Sequence, residues 1–204
     1  MARETDEQDK GREPAGMGGL ERLMASIGSG QRSLPPVERW NPPFCGDIDM
    51  RIAADGAWFY NGTVIGRPAL VKLFASVLKM EDGRHVLVTP VEKLGITVDD
   101  APFQAVEMAV DGEGDARMIA LRTNVDDLVS VGPEHRLRFV KAERDGVRPY
   151  LHVRRGLWAR VTRSLSHDLL ALGETRLHDG AMVFGIMAGG LFHPVMDAAE
   201  VGGS

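Results

Sequence analysis

IDMRIAADGAWFYN at residues 48–61 and YLHVRRGLWARV at residues 150–161 read as two copies of one hairpin. In the first, a strand over Ile48–Ile52 meets the turn Ala54-Asp55-Gly56 and returns as a strand over Ala57–Asn61. In the second, Tyr150–Val153 meets Arg154-Arg155-Gly156 and returns over Leu157–Val161. Gly-x-Trp closes both turns, at Gly56/Trp58 and Gly156/Trp158, 100 positions apart. The segments after the two hairpins are also alike. Arg67 precedes a helix predicted over Pro68–Lys79, then Asp82-Gly83 and a strand over Arg84–Val88. Arg163 precedes a helix predicted over Ser164–Leu172, then Asp179-Gly180 and a strand over Ala181–Gly185. Landmarks in the same order around a hairpin and a helix indicate an internal duplication. Too few helices are present for βαβ crossovers, so the expected class is α+β: two small, β-rich, barrel-like halves with one helix each.

Further strands are expected at Phe103–Val110, Arg117–Leu121 and Leu137–Ala142, with the loop Asp111–Asp115 between the first two. A second echo, Thr-x-Val-acid, occurs at Thr89–Glu92 and Thr123–Asp126. The predicted organisation is an N-terminal extension over 1–34, an N-terminal β-rich domain over 35–116, a C-terminal domain over 117–197 and a disordered tail over 198–204. Within the extension, residues 1–19 are polar and Gly-rich, with almost no apolar surface to bury. Leu20, Leu23, Met24 and Ile27 have the spacing of one helical face.

The 204 residues are enough for a core without covalent staples. A net charge of −5 with no basic tract argues against nucleic acid and against an anionic membrane surface as partners. A single cysteine, Cys45, excludes an intrachain disulfide and fits a reducing compartment. The longest apolar run, Ala181–Phe192, contains Gly189-Gly190 and is too short to span a bilayer. The expected location is the cytoplasm.

Known catalytic signatures are missing. There is no Gly-x-Ser-x-Gly elbow and no phosphate-binding Gly-x4-Gly-Lys loop. Cys45 lies near Asp47, which disfavours a thiolate, and reads as a small core hydrophobe at a strand start. The six histidines stand singly, without metal-ligand spacing, and read as surface or turn residues; no metal or cofactor is expected. Thr89-Pro90-Val91-Glu92 has the pattern of a capping box with proline at the first helical position, which predicts a short helical turn. Lys93, Asp99 and Asp100 extend that polar cluster. Arg67 and Arg163 oppose the dipoles of the helices they precede. Each is therefore either an anion site or one half of an internal ion pair, with Asp47 or Asp49 among the candidate partners. By strand alternation Trp158 shares a face with Tyr150, His152 and Arg160, and Trp58 with Met50, Ile52 and Tyr60. The two tryptophans are then either core residues or a lining of the contact between the halves.

The run Trp40–Asp49, with Asp55-Gly56-x-Trp58-x-Tyr60-x-Gly62, Ile65-Gly66-Arg67, Thr89–Lys93, Asp99–Phe103, Thr123-Asn124 and Pro149–Leu157, resembles a mainly proteobacterial family of uncharacterised proteins, a domain of unknown function. The resemblance covers about residues 35 to 190. It implies a duplicated core with a pleckstrin-homology-like C-terminal half, a ligand site at the domain interface for a nucleotide-like molecule, and a role in signal transduction. This chain departs from the family pattern at Trp158 and Ser166-His167-Asp168. The functional expectation is a non-enzymatic ligand-binding or signalling module with a small anionic, nucleotide-like ligand between the halves. Arg67 and Arg154 would supply charge, Thr89, Glu92, Lys93, Asp100 and Asn124 polar contacts, and Trp58 or Tyr150 stacking. One rival is a protein–protein adaptor without a small ligand. Another is a hydrolase-type enzyme on a nucleotide or ester, with Asp99, Asp100 and Glu92 as acid–base groups.

Overall fold

A computed structural model describes residues 34–142 and 146–200. The expectations for residues 1–33 and 201–204 fall outside it. Ala198–Glu200, expected as tail, form a 3-10 turn.

The N-terminal sheet, A, takes β1 (Phe44–Ile52), β2 (Trp58–Tyr60), β3 (Thr63–Val64), β4 (Leu78–Glu81), β5 (Arg84–Val88) and β6 (Lys93–Val98), with helix α1 (Pro68–Val77) between β3 and β4. Its order is β3-β2-β1-β6-β5-β4, with β1 and β6 parallel. Sheet B takes β7 (Phe103–Asp111), β8 (Met118–Thr123), β9 (Leu128–Ser130), β10 (Leu137–Lys141), β11 (Val147–Arg154) and β12 (Leu157–Val161), in the order β10-β11-β12-β7-β8-β9. Helix α2 (Arg163–Ala171) then leads to a three-stranded sheet C of β13 (Glu174–His178), β14 (Ala181–Ala188) and β15 (Leu191–Asp197).

The duplication is present. Each half runs hairpin, helix, three-stranded meander. The hairpin registers match: Met50 pairs with Tyr60 and Ile52 with Trp58, as Tyr150 pairs with Arg160 and His152 with Trp158. Asp82-Gly83 and Asp179-Gly180 both have positive φ at the two turn residues, the two-residue hairpin that Asp-Gly favours. The halves differ in the added strands β7–β10 of the second and in how the meander is attached. In the first, β6 returns beside β1. In the second, β10 holds the place beside β11, and β15 meets β10 through the Leu137 N–H, which donates to His193 Nδ1 at 3.3 Å.

Packing corrects several local expectations. Helix α1 stops at Val77 rather than Lys79, because Leu78 and Lys79 pair with Leu87 and Val86 in β4. Thr89–Glu92 is not a helical turn. It closes the β5–β6 hairpin, with the Thr89 N–H donating to the Glu92 carbonyl at 2.9 Å and the Thr89 hydroxyl accepting from the Glu92 N–H at 3.2 Å. The threonine caps as its pattern predicts, but it serves a turn between strands. Cys45 begins a strand but is exposed, its thiol directed at the Pro43 carbonyl. Trp58 is a core residue stacked on Phe74 of α1 at 6.2 Å. Trp158 is half-exposed on the outer face of sheet B, so the two tryptophans do not line one contact.

His193 is also buried, against the expectation of a surface histidine. Burial lowers its pKa, and that of the less buried His85. The unfolded chain therefore takes up these protons first, and stability present above about pH 6.5 is lost as pH falls below it. Protonation also removes the Nδ1 acceptor that joins sheet C to β10. Urea denaturation between about pH 7 and pH 5 should show this slope, and His193→Gln should reduce it, leaving the contribution of His85.

Candidate functional site

The halves grip each other through equivalent hairpin turns. The β11–β12 turn enters the N-terminal half at the end of α1. Arg154 donates to the Ala75 carbonyl at 3.0 Å and Arg155 to the Ser76 carbonyl at 2.7 Å. These carbonyls belong to the last turn of α1, which has no basic residue of its own. Two cations from the other half satisfy its orphan acceptors and its dipole. Arg155 also holds Glu38 at 2.6 Å and the Pro35 carbonyl at 2.7 Å, and its own carbonyl accepts from the Met80 N–H of β4. A Cβ on Gly156 would stand 2.9 Å from Met80 Cβ, so only glycine fits there.

The β1–β2 turn docks in the opposite direction. Gln104 Nε2 donates to the Ala54 carbonyl at 3.3 Å, and a Cβ on Gly56 would lie 2.8 Å from Gln104 Cγ. Asn124 braces Gln104 by accepting from its N–H at 3.0 Å and donating to its carbonyl at 2.8 Å. Arg154 is further committed to an ion pair with Asp127 and lies 4.8 Å over the Phe103 ring. Burial outweighs attraction for both partners, raising the Asp127 carboxyl above its ordinary range and lowering the Arg154 guanidinium below its own.

Beside this junction a strip of arginines, aromatic rings and carboxylates crosses from sheet A to sheet B. Arg51 lies 5.1 Å over Phe59 and pairs with Asp99 at 2.7 Å. The adjacent Asp100 accepts from the Tyr150 hydroxyl at 2.7 Å and from Arg160 at 3.1 Å. Burial, then the bond to Asp100, raises the Tyr150 pKa, so this phenol stays protonated as a donor. Arg138, Tyr150, Arg160 and Gln104 form one cross-strand row on β10, β11, β12 and β7. The exposed Arg138 guanidinium lies 4.4 Å from the Trp158 ring and 5.3 Å from the Tyr150 ring. It has no carboxylate partner among the described residues. His152 meets Trp158 edge-on at 5.3 Å and stacks with His135 at 5.9 Å.

The residues expected to form one site are dispersed. Asp100 and Tyr150 stand together on the strip. Arg154 and Asn124 serve the grip between halves. Thr89, Glu92 and Lys93 lie on the β5–β6 hairpin, where Lys93 is buried in an ion pair with Glu81. Trp58 is in the core. Arg67 precedes α1 fully in solvent; Asp47, one expected partner, pairs with Arg84 instead at 2.7 Å. Arg163 is the first residue of α2 and is likewise exposed. Arg138 is absent from the expected set. Alternation along Leu137–Lys141 gives its face, but the pairing of β10 beside β11 that sets it over Tyr150 leaves no local signal. Among the described residues no group of three His, Cys, Asp or Glu side chains is placed to hold a metal ion, and no helix is long and apolar enough to cross a membrane.

Comparison with protein-family profiles matches residues 35–101 to "Domain of unknown function (DUF1285), N-terminal domain" and residues 102–195 to "Protein of unknown function (DUF1285), C-terminal domain". The chain belongs to this family. The expected family resemblance is thereby established. Among solved structures, a DUF1285 family protein from Silicibacter pomeroyi DSS-3 is 45% identical, with 91% of this chain and 99% of that chain covered at a TM-score of 0.81. A second, from Shewanella baltica OS155, is 28% identical over 60% of this chain and 90% of that chain, at a TM-score of 0.48. No curated protein matches.

The grip and the isolated arginine make opposite predictions. Arg154→Ala strands the buried Asp127 carboxylate and should cost about 3–5 kcal/mol. Arg67→Ala touches no ion pair among the described residues and should stay within about 0.5 kcal/mol of the parent chain. Denaturant unfolding of the two variants checks both.

Proposed function

We propose that this chain is a ligand-binding module whose small anionic ligand lies along the arginine–aromatic strip where the halves join. One observation carries the reading: an exposed guanidinium, Arg138, held against two aromatic rings and lacking a carboxylate among the described residues, while neighbouring Arg51 and Arg160 are paired. Ring contact fixes the plane of the guanidinium and leaves its N–H edge free for a phosphate or carboxylate, which a planar fork binds bidentately. The half-exposed Trp158 ring offers a stacking surface to a planar group beside that anion. A nucleotide-like molecule combines the two chemistries, and sensing of such a molecule in the cytoplasm is the role proposed. Relative to the ligand set expected from sequence, Asp100 and Tyr150 stay, and Arg138, Trp158 and Arg160 replace Arg67 and Arg154. An acid–base enzyme is less well supported, because Asp99 and Asp100 are each held by an arginine. The same reading takes residues 35–101 and 102–197 as the working units in place of a division at 116/117, since β7 hydrogen-bonds into sheet B.

A thermal-shift screen against nucleotides and phosphorylated metabolites tests the proposal. A binder present at a hundred times its Kd should stabilise the folded chain by about 2.7 kcal/mol. Arg138→Ala, which removes no ion pair among the described residues, should melt close to the parent without ligand and lose the ligand shift. A shift that persists in Arg138→Ala and in Trp158→Ala, or a screen with no shift at all, would overturn the reading.

A further inference from the structure

Among the described residues, strand edges are managed, with one exception. On sheet A, β3 has two residues, and β4 is covered where its Met80 N–H donates to Arg155. On sheet B, β9 has three residues, and β10 is flanked by β15. On sheet C, β13 presents five residues, Glu174-Thr175-Arg176-Leu177-His178, with no proline, no lysine and no bulge in its pairing with β14. Such an edge is a template for another strand. Beside it, Leu177 is 72% exposed and its cross-strand neighbour Met182 is 54% exposed.

We infer that β13 pairs antiparallel with β13 of a second copy of this chain, about a two-fold axis through Thr175, making a continuous six-stranded sheet from two copies of sheet C. The backbone restricts the register. Asp179-Gly180 is a two-residue turn, so its flanking pair, His178 and Ala181, exchanges both hydrogen bonds. Alternation then turns the backbone groups of Glu174, Arg176 and His178 toward β14 and leaves those of Thr175 and Leu177 facing outward. An axis through Thr175 sets Thr175 against its own copy and Leu177 against the partner's Gly173. The Gly173 N–H is already donated to Leu170, but its carbonyl is open to the incoming Leu177 N–H.

Charge selects this register among those that parity allows. Glu174 falls opposite the partner's Arg176, and Arg176 opposite the partner's Glu174, two opposite-charge pairs related by the axis. An axis through Arg176 would instead set two guanidinia face to face. Within one chain Arg176 already bonds Glu174 at 2.8 Å and Asp115 at 2.6 Å, so its guanidinium is held near the edge before any partner arrives. Leu177 and Met182 from both copies extend the contact on the opposite face of the sheet.

Light scattering on the full chain at high micromolar concentration should give a dimer. Thr175→Pro removes an N–H that no strand of its own chain uses, and proline is tolerated at such an edge. That variant should be a monomer with unchanged circular dichroism. In a Cys45→Ser background, Thr175→Cys places its thiol on the axis, about 5.5 Å Cα to Cα from its copy, within disulfide reach. It should form a covalent dimer on mild oxidation. A monomeric parent chain would overturn the inference, and so would a dimer that survives Thr175→Pro. Neither result depends on whether an anion binds at Arg138.

Discussion

The reciprocal docking of two glycine turns is the constraint on which the rest depends. Gly56 lies against Gln104 and Gly156 against Met80, each too close for a side chain. Each turn therefore reaches into the opposite half. The first is received by the Gln104–Asn124 pair, the second by the carbonyls at the end of α1. A short sheet-bearing half gains a second surface to bury, and a helix whose last turn has no basic residue receives two guanidinia. The shared geometry of the two hairpins explains why Gly-x-Trp is found twice in the chain: the glycine belongs to the contact between halves.

The paired hairpins, the two helices and the Asp-Gly turns are local, and their signals are local: turn glycines, alternation and a helical stripe at Leu70, Val71, Phe74 and Ala75. Strands β4, β6, β9, β13 and β15 escape such reading. β4 follows α1 without a break, and β6 follows a turn whose capping chemistry also suits a helix. Site residues fare worse. Arg154 looks the same in sequence whether it awaits a phosphate or, as found, pairs with Asp127 and the Ala75 carbonyl. Only the partner distinguishes them, and both partners come from distant segments. Asp100 and Tyr150, 50 positions apart, are expected in one site and do meet, but as partners of each other first.

Electrostatics along the strip runs against the whole-chain balance. A chain of net charge −5 places Arg136, Arg138, Arg148 and Arg160 on β10, β11, β12 and the approach to β10. Asp100 neutralises one of them. Positive charge is thus concentrated on one face of an acidic chain, a local departure from its net charge. Aromatic contact with Tyr150 and Trp158 adds direction to that field. A guanidinium lying on a ring loses rotamer freedom, so Arg138 is held in one plane.

The two halves keep one hairpin register but invert its polarity. Ile52 and Trp58 are buried while Arg51 and Phe59 face outward; at the positions 100 residues on, Leu151 and Ala159 are buried while His152 and Trp158 face outward. A one-residue slip would have produced the same inversion, but Ile52 opposite Trp58 and His152 opposite Trp158 hold one register, and the bulge in the second hairpin comes only after His152. The inversion lies in which face of the hairpin packs against the core. Its consequence is specific: the first tryptophan stacks on Phe74 and fills the core, and the second is left on the surface, where Arg138 covers part of it. A duplicated hairpin thus supplies two different things from one backbone, packing in the N-terminal half and a wet aromatic face in the C-terminal half. The face that the core does not need in the second copy is left open to solvent, with Trp158 half-exposed on it.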